Sequence, residues 1–377
     1  MSFPFPVVQG GHGINLLPGY FLFAWGWNNY GQLGQNNTTA TASDYSSPVQ
    51  IGSEEIWSVV DGGYYNSYMI RNDRTLWAVG YNGNGELAQN DVTDRSSPVQ
   101  IGADTYSAIA AAGYSGGYAL KVDKTLWAWG YNQQGQLGQN DAGGGTQRSS
   151  PVQIGSATYT HIGSGGYLHA AIREDGTLHV CGYGIKGALA QNDAVSRSSP
   201  VQVGSDTYID ANAGNEHLLA IKDDGTLWGC GNNDFGQLGQ GDTTDRSVLT
   251  QIGAATNWVK VWGGITTTFA RASDGTIWAC GRNVSGANGG ALGDNTIVDK
   301  SSLVQIGALT TWTVLHGASS GGQAIRGGQL WGWGQQYYYP IVGDNTMVNR
   351  SSPVQVGALE TWVSVRGNTH HRVALRS

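Results

Sequence analysis

Positive charge is scarce in this sequence. Its 377 residues hold 20 lysines and arginines against 27 aspartates and glutamates, a net charge of −7. The lysines are Lys121, Lys124, Lys186, Lys222, Lys260 and Lys300, scattered along the chain. A nucleic-acid binder carries a basic stripe, so no direct nucleic-acid contact is expected. Long apolar runs are also lacking, which excludes a membrane-spanning helix, and no membrane partner is expected. The start, MSFPFPVVQGGHGINLLPG, has neither the basic region nor the apolar core of a secretory signal. Export by the general secretory route is therefore not expected.

Cysteine is limited to Cys181, Cys230 and Cys280, and an odd count gives no disulfide framework. Each stands just before the glycine of a strand-like LWxWG run. Other runs have Trp25, Val79, Trp129 and Trp333 there. The position takes apolar residues, so the thiols read as small buried hydrophobes. No metal and no cofactor is expected.

What the sequence does have is glycine, at 59 residues, with 14 Trp and 18 Tyr. Tight turns between aromatic-filled strands fit that mixture, and helices do not. The organising stretch is Leu126 to Gly155, LWAWGYNQQGQLGQNDAGGGTQRSSPVQIG. The same grammar returns through the chain at intervals of roughly fifty residues. Each full period carries four short strand-like runs. In the second they are Trp57–Asp61, Ser67–Arg71, Thr75–Gly80 and Pro98–Ile101. Asp175-Gly176, Asp224-Gly225 and Asp274-Gly275 stand between runs, where a tight hairpin needs positive φ. Four strands per period, repeated seven times, describe an all-β chain folded as a seven-bladed β-propeller.

The ends predict how the ring closes. The first repeat lacks the two runs that normally precede LWxWG. The chain finishes with Trp362–Arg366 and Arg372–Arg376, which are those two runs. Joining them to Tyr20–Trp25 in one blade removes the open sheet edges. The chain thus divides into residues 1–19, a strap or an attachment arm, and residues 20–377, the propeller.

The pattern LWxWGxNxxGQLGxxD…R…P…V, followed by W..V..G..H, resembles the regulator-of-chromosome-condensation repeat and covers residues 20–377. The resemblance implies a seven-bladed propeller closed by a mixed blade. The best-known eukaryotic member is a nucleotide exchange factor for the small GTPase Ran that also docks on chromatin. A plant relative is a UV-B photoreceptor. The tryptophans of the photoreceptor motif are replaced here by Tyr64, Tyr114, Tyr167, Asn215, Ile265, Ala318 and Asn368, so light sensing is not expected. No long insertion that would serve as a wedge, and no basic tail, accompanies the repeats.

The family histidine matches His169, His217 and His370, for which a structural hydrogen bond is expected. Asp91, Asp141, Asp193, Asp242, Asp294 and Asp344 are each followed by Arg95, Arg148, Arg197, Arg246, Lys300 or Arg350. These read as turn-fixing pairs, with calcium at Asp91/Asp94 or Asp242/Asp245 as the alternative. No Ser-His-Asp set and no phosphate loop is evident. The remaining signal is aromatic. Tyr64, Tyr114 and Tyr167 occupy one repeat position in a loop between the first two strands of consecutive blades. Loops on a rigid scaffold are where binding resides, and tyrosine suits a protein partner or a sugar ring. Tyr337, Tyr338 and Tyr339 form a second candidate patch.

The expectation is a non-catalytic binding or display module that contacts a protein or glycan. Low lysine and regular repeats point to a particle-borne protein, such as a phage virion component attached through residues 1–19. The alternatives are an exchange-factor-like regulator of a small GTPase in the cytoplasm, a glycan-binding adhesin, and an enzyme built on the same fold.

Overall fold

The structure is a computed structural model that describes residues 16–37, 44–113, 116–283, 289–318, 320–336 and 339–377. It is built almost wholly of antiparallel strands, arranged as seven four-stranded blades. The second blade shows the plan. Strand Trp57–Gly62 is innermost, then Asn66–Arg71, then Thr75–Gly80, then the first part of Arg95–Ala112. That last strand continues across to pair with Gly116–Lys121, so its second part is the inner strand of the third blade. Arg148–Ser164 and Arg197–Ala213 make the same crossing. Between the fifth and sixth blades the crossing breaks into Arg246–Gln251 and Trp258–Gly263.

Ring closure follows the sequence expectation. Phe21–Gly26 pairs with His371–Arg376, which pairs in turn with Trp362–Gly367, while Tyr45–Ile51 forms the outer edge. Of the N-terminal arm, residues 1–15 lie outside the described residues. The remainder lies along the second blade: the Leu17 amide donates to the Asn72 carbonyl at 2.8 Å, and Tyr20 bridges to Trp57.

Neighbouring blades touch face to face, and one cross-strand pair recurs at each contact. The residue before the strand-end glycine on the third strand faces a residue on the second. The pairs are Ser67–Val79, Gly117–Trp129, His169–Cys181, Leu218–Cys230, Thr268–Cys280, Gly322–Trp333 and Arg372–Trp25. Where the third-strand residue is Trp129 or Trp333, the facing residue is glycine because the indole lies over it. A Cβ on Gly117 would meet Trp129 Cζ2 at 2.4 Å, and one on Gly322 would meet Trp333 Cζ2 at 2.3 Å.

Each pair also sends a donor to a loop carbonyl of the preceding blade. Trp129 Nε1 donates to Glu86 O at 2.8 Å, Trp333 Nε1 to Ala291 O at 3.2 Å, and Trp25 Nε1 to Ile341 O at 2.9 Å. In the other blades a smaller group takes the task. Ser67 Oγ donates to Gln32 O at 2.8 Å, His169 Nδ1 bonds Gln136 O at 3.0 Å, and Thr268 Oγ1 donates to Gln237 O at 2.7 Å. Cys230 Sγ lies 3.8 Å from Ala188 O. All three cysteines are buried and free. In the closing blade the residue opposite Trp25 is Arg372, fully buried, with its guanidinium bonded to Gln323 Oε1 and Asn368 O. Burial pulls that arginine down to about 9.

Two experiments check this packing. Deleting residues 362–377 leaves Phe21–Gly26 without its inner partner, and the truncated chain is expected to unfold or aggregate; a monomer with an unchanged melting temperature would refute closure. Gly117→Thr is expected to cost about 1–3 kcal/mol by overpacking. Adding Trp129→Cys rebuilds the Thr268–Cys280 pair, so the double variant should lose less than the two single losses added together. Strictly additive losses in denaturant unfolding would contradict the pairing rule.

Candidate functional site

The inner strands leave a free edge toward the axis, with backbone groups that need partners. Side chains from each preceding blade supply several of them. Asp61 Oδ2 accepts the Ala111 amide at 2.8 Å, Asp210 Oδ2 the Val261 amide at 2.9 Å, and Asn212 Oδ1 the Gly263 amide at 3.1 Å. His161 Nε2 lies 2.8 Å from Ala211 O, and His316 Nε2 bonds Gly367 O. Asp210 also meets Lys260 Nζ at 2.5 Å and His161 Nε2 at 3.2 Å. Burial pushes the Asp61 carboxyl up to about 6, against the pull of Arg366. Asp61, His161, Asn212, Lys260, His316 and Arg366 line an axial cavity of about 240 Å³. Their polarity satisfies strand edges, and no cluster able to hold a metal ion occurs among the described residues.

The turn-fixing pairs form as expected. Asp91–Arg95, Asp141–Arg148, Asp193–Arg197, Asp242–Arg246, Asp294–Lys300 and Asp344–Arg350 are ion pairs. Asp91 Oδ1 also accepts from Asn82 and the Thr93 amide, and Asp94 accepts the Asn82 amide at 2.8 Å. Their oxygens are used inside the turn, which argues against the calcium alternative.

Register corrects the sequence alignment at two places. The residue whose carbonyl takes the amide from just beyond the strand-end glycine is Tyr65 in the second blade, Tyr167 in the fourth, Glu216 in the fifth, Thr266 in the sixth, Ser320 in the seventh and His370 in the first. Tyr167 is thus the counterpart of Tyr65, and Tyr64 that of Gly166. The Gly165-Gly166 doublet left the anchor glycine ambiguous by one residue. The histidines likewise occupy three different positions. His217 and His371 begin their strands, His169 stands one place later, and His370 one place earlier.

Tyr64 is buried at 2% exposure, with its ring against Gly113 and 5.5 Å from His370. Tyr167 is half-buried, 6.1 Å from Tyr183. Tyr114, Tyr337 and Tyr338 lie outside the described residues. Tyr339 packs 5.3 Å from Trp27 and 4.6 Å from His370.

Sequence reasoning missed the residue just after each strand-end glycine. Gly80, at φ 116°, turns the chain onto the face that also carries the Gly63–Tyr65 loop. The next residue is aromatic in four successive blades (Trp27, Tyr81, Tyr131, Tyr183) and Asn232, Arg282 or Gln335 in the others. The WG-aromatic-Asn string was the available signal. Tyr30 joins this set, its ring 4.9 Å from Tyr81 and 5.4 Å from Tyr65. Trp27 lies 5.4 Å from Tyr65. The result is an aromatic arc on one side of one face. Within it Tyr30, Tyr65, Tyr81, Tyr131, Tyr167 and Glu86 line a cup of about 280 Å³.

The chain is similar to known repeats and structures. The signature described as "Regulator of chromosome condensation (RCC1) repeat" matches residues 21–70, 123–172 and 224–271, and a second signature of that description matches 208–237. Among solved structures, human WBSCR16 is 18% identical, with 95% of this chain and 99% of that one covered and a TM-score of 0.82. Yeast RCC1 (Prp20), solved with Kap60, is 16% identical over 100% of this chain and 95% of that one, also at 0.82. Prp20p from Saccharomyces cerevisiae, in a structure titled with its binding properties to Gsp1p and histones, is 17% identical over 96% and 93%, again at 0.82. At these identities the likeness is one of fold. No curated protein matches the chain by sequence.

The buried histidines predict acid sensitivity. Burial pulls His169 and His217 down to about 4 and His371 to about 3. The unfolded chain binds these protons near pH 6.5, so stability is full above that pH and is lost as pH falls toward about 4. Each of His169 and His217 should cost on the order of 2 kcal/mol by about pH 5. Asp61 works the other way below about 6 and offsets part of the loss. A melting temperature that holds steady between pH 7 and pH 5 would contradict this.

Proposed function

Because the chain belongs to the regulator-of-chromosome-condensation repeat family of β-propellers, we propose that it is a non-catalytic protein-binding module. The binding surface is the face that carries Tyr65 and Tyr167. The observation that supports this reading is the aromatic arc of that face. Trp27, Tyr30, Tyr65, Tyr81, Tyr131, Tyr167 and Tyr183 are all half-buried, so each keeps ring surface open to a partner. Exposed aromatic groups on a rigid scaffold are the usual anchors of protein interfaces. The arc is confined to the first four blades, so the partner sits off the axis. Tyr339, from the seventh blade, packs against Trp27 at the edge of the arc.

A small GTPase stands first among partner classes. The yeast relative is described by its binding to Gsp1p and histones, and exchange on a GTPase is what the family resemblance implies. The virion, glycan and attachment-arm readings draw no support from these relatives.

The test is a binding and nucleotide-release assay with small GTPases from the same source. Release should accelerate in the presence of the intact chain. The combined variant Tyr65→Ser, Tyr131→Ser, Tyr167→Ser should weaken binding by at least about tenfold, with little change in melting temperature. Unaltered binding by a folded triple variant would place the interface elsewhere.

A further inference from the structure

Among the described residues the cup in the aromatic arc contains one charged side chain, Glu86, and the fold does not require its charge. In four blades the Gly-x-Leu loop uses its middle side chain as an internal acceptor; elsewhere that residue is Ala188, Ala291 or Ile341. Gln32 Oε1 accepts the Tyr30 amide at 3.0 Å, Gln136 Oε1 the Gln134 amide at 2.8 Å, and Gln237 Oε1 the Phe235 amide at 3.0 Å. In the second blade this residue is Glu86, whose Oε2 accepts the Asn84 amide at 2.8 Å while Oε1 accepts Asn84 Nδ2 at 2.8 Å. An amide oxygen accepts the equivalent amide in three other blades, so the carboxylate adds a charge and a second acceptor, which takes Asn84 Nδ2. Glu86 is 2% exposed and lines the cup, and among the described residues no lysine or arginine forms an ion pair with it. A buried carboxylate without a cation is costly unless a ligand brings one.

The walls favour a compact cation. Tyr30, Tyr65 and Tyr81 are mutually tilted, with interplanar angles of 59°, 63° and 75°. Such rings form a corner and not the parallel slot that a planar guanidinium would fill. Tyr131 and Tyr167 line the same space. Aromatic rings around a carboxylate are a setting that recognises ammonium groups by cation–π attraction. The volume of about 280 Å³ lies just under the usual range of about 300–1,000 Å³ for drug-sized ligands, so it suits a single side chain. Glu86 also lies under the interblade contact, since its backbone carbonyl takes both Tyr68 OH and Trp129 Nε1. The floor of the cup is therefore fixed in place.

We propose that this cup binds the alkylammonium group of a lysine side chain, methylated or not, presented by the protein partner. The inference rests on the reading of this face as the binding surface and names the chemistry at its centre. A lysine head enters among the tyrosines, its charge facing Glu86 and its methylene stem lying along Tyr131 and Tyr167. Methylation enlarges the head and removes hydrogen-bond donors that the rings do not use.

The test needs no partner protein. The intact chain is titrated with Nα-acetyl-lysine methylamide, its trimethylated form, and the neutral isostere in which carbon replaces the ammonium nitrogen, followed by intrinsic fluorescence and saturation-transfer NMR. The trimethylated probe should bind saturably and about tenfold more tightly than the carbon isostere. Glu86→Gln, which keeps the acceptor used by three other blades, should reduce that difference to what the rings alone supply, without lowering the melting temperature. Equal binding of the charged and neutral probes overturns the proposal, as does no saturable binding or preferential binding of methyl glucoside or Nα-acetyl-arginine methylamide. Probe binding without any GTPase interaction would leave this inference standing and remove only the GTPase assignment.

Discussion

The ring depends on one contact, repeated between blades. A loop carbonyl of one blade is buried against the next blade and needs a donor. The donor comes from a cross-strand pair whose two members share a fixed space. An indole fills that space and donates, with glycine facing Trp129 and Trp333 and Arg372 facing Trp25. A thiol or valine leaves room, and Ser67, Thr268 or His169 opposite takes over the donation, while Cys230, opposite Leu218, uses its own thiol. Trp129 with Gly117 and Cys280 with Thr268 are two solutions of the same steric and hydrogen-bonding problem. Failure at one contact opens a ring, because each blade is held only by its two neighbours.

With the inner layer so constrained, variation is displaced to the loops of one face. The scaffold is close to sevenfold, yet the face is not. Aromatic residues follow the strand-end glycine from Trp27 to Tyr183, and polar residues follow it from Asn232 to Gln335. The axial cavity has more titratable groups, but Asp61, His161 and His316 are committed to strand edges. The aromatic cup is different, because Glu86 carries a charge that its structural role does not use.

Much of this was legible in the sequence. The period gave the blades, the displaced terminal runs gave the closure, and the Asp–Arg spacing gave the turn pairs. The cysteines were legible as apolar because tryptophan and valine share their position. The candidate face was legible through its tyrosines, with an error in which ones correspond. Tyr64 and Tyr167 each follow a glycine, but only Tyr167 matches Tyr65 in backbone bonding. A string of glycines hides a one-residue slip, and in a strand one residue exchanges inside for outside.

By itself, then, the sequence determined the repeat, the strand count and the way the ends meet, since these depend on local pattern and on spacing along the chain. Only the tertiary structure decided which aromatic side chains converge. Tyr30, Tyr65, Tyr81, Tyr131 and Tyr167 come from four successive blades, and their meeting depends on how blades stack, not on any local motif. It likewise decided that Tyr64 turns inward while Tyr65 stays on the face, because the backbone register of the Gly63–Tyr65 loop sets adjacent side chains in different directions.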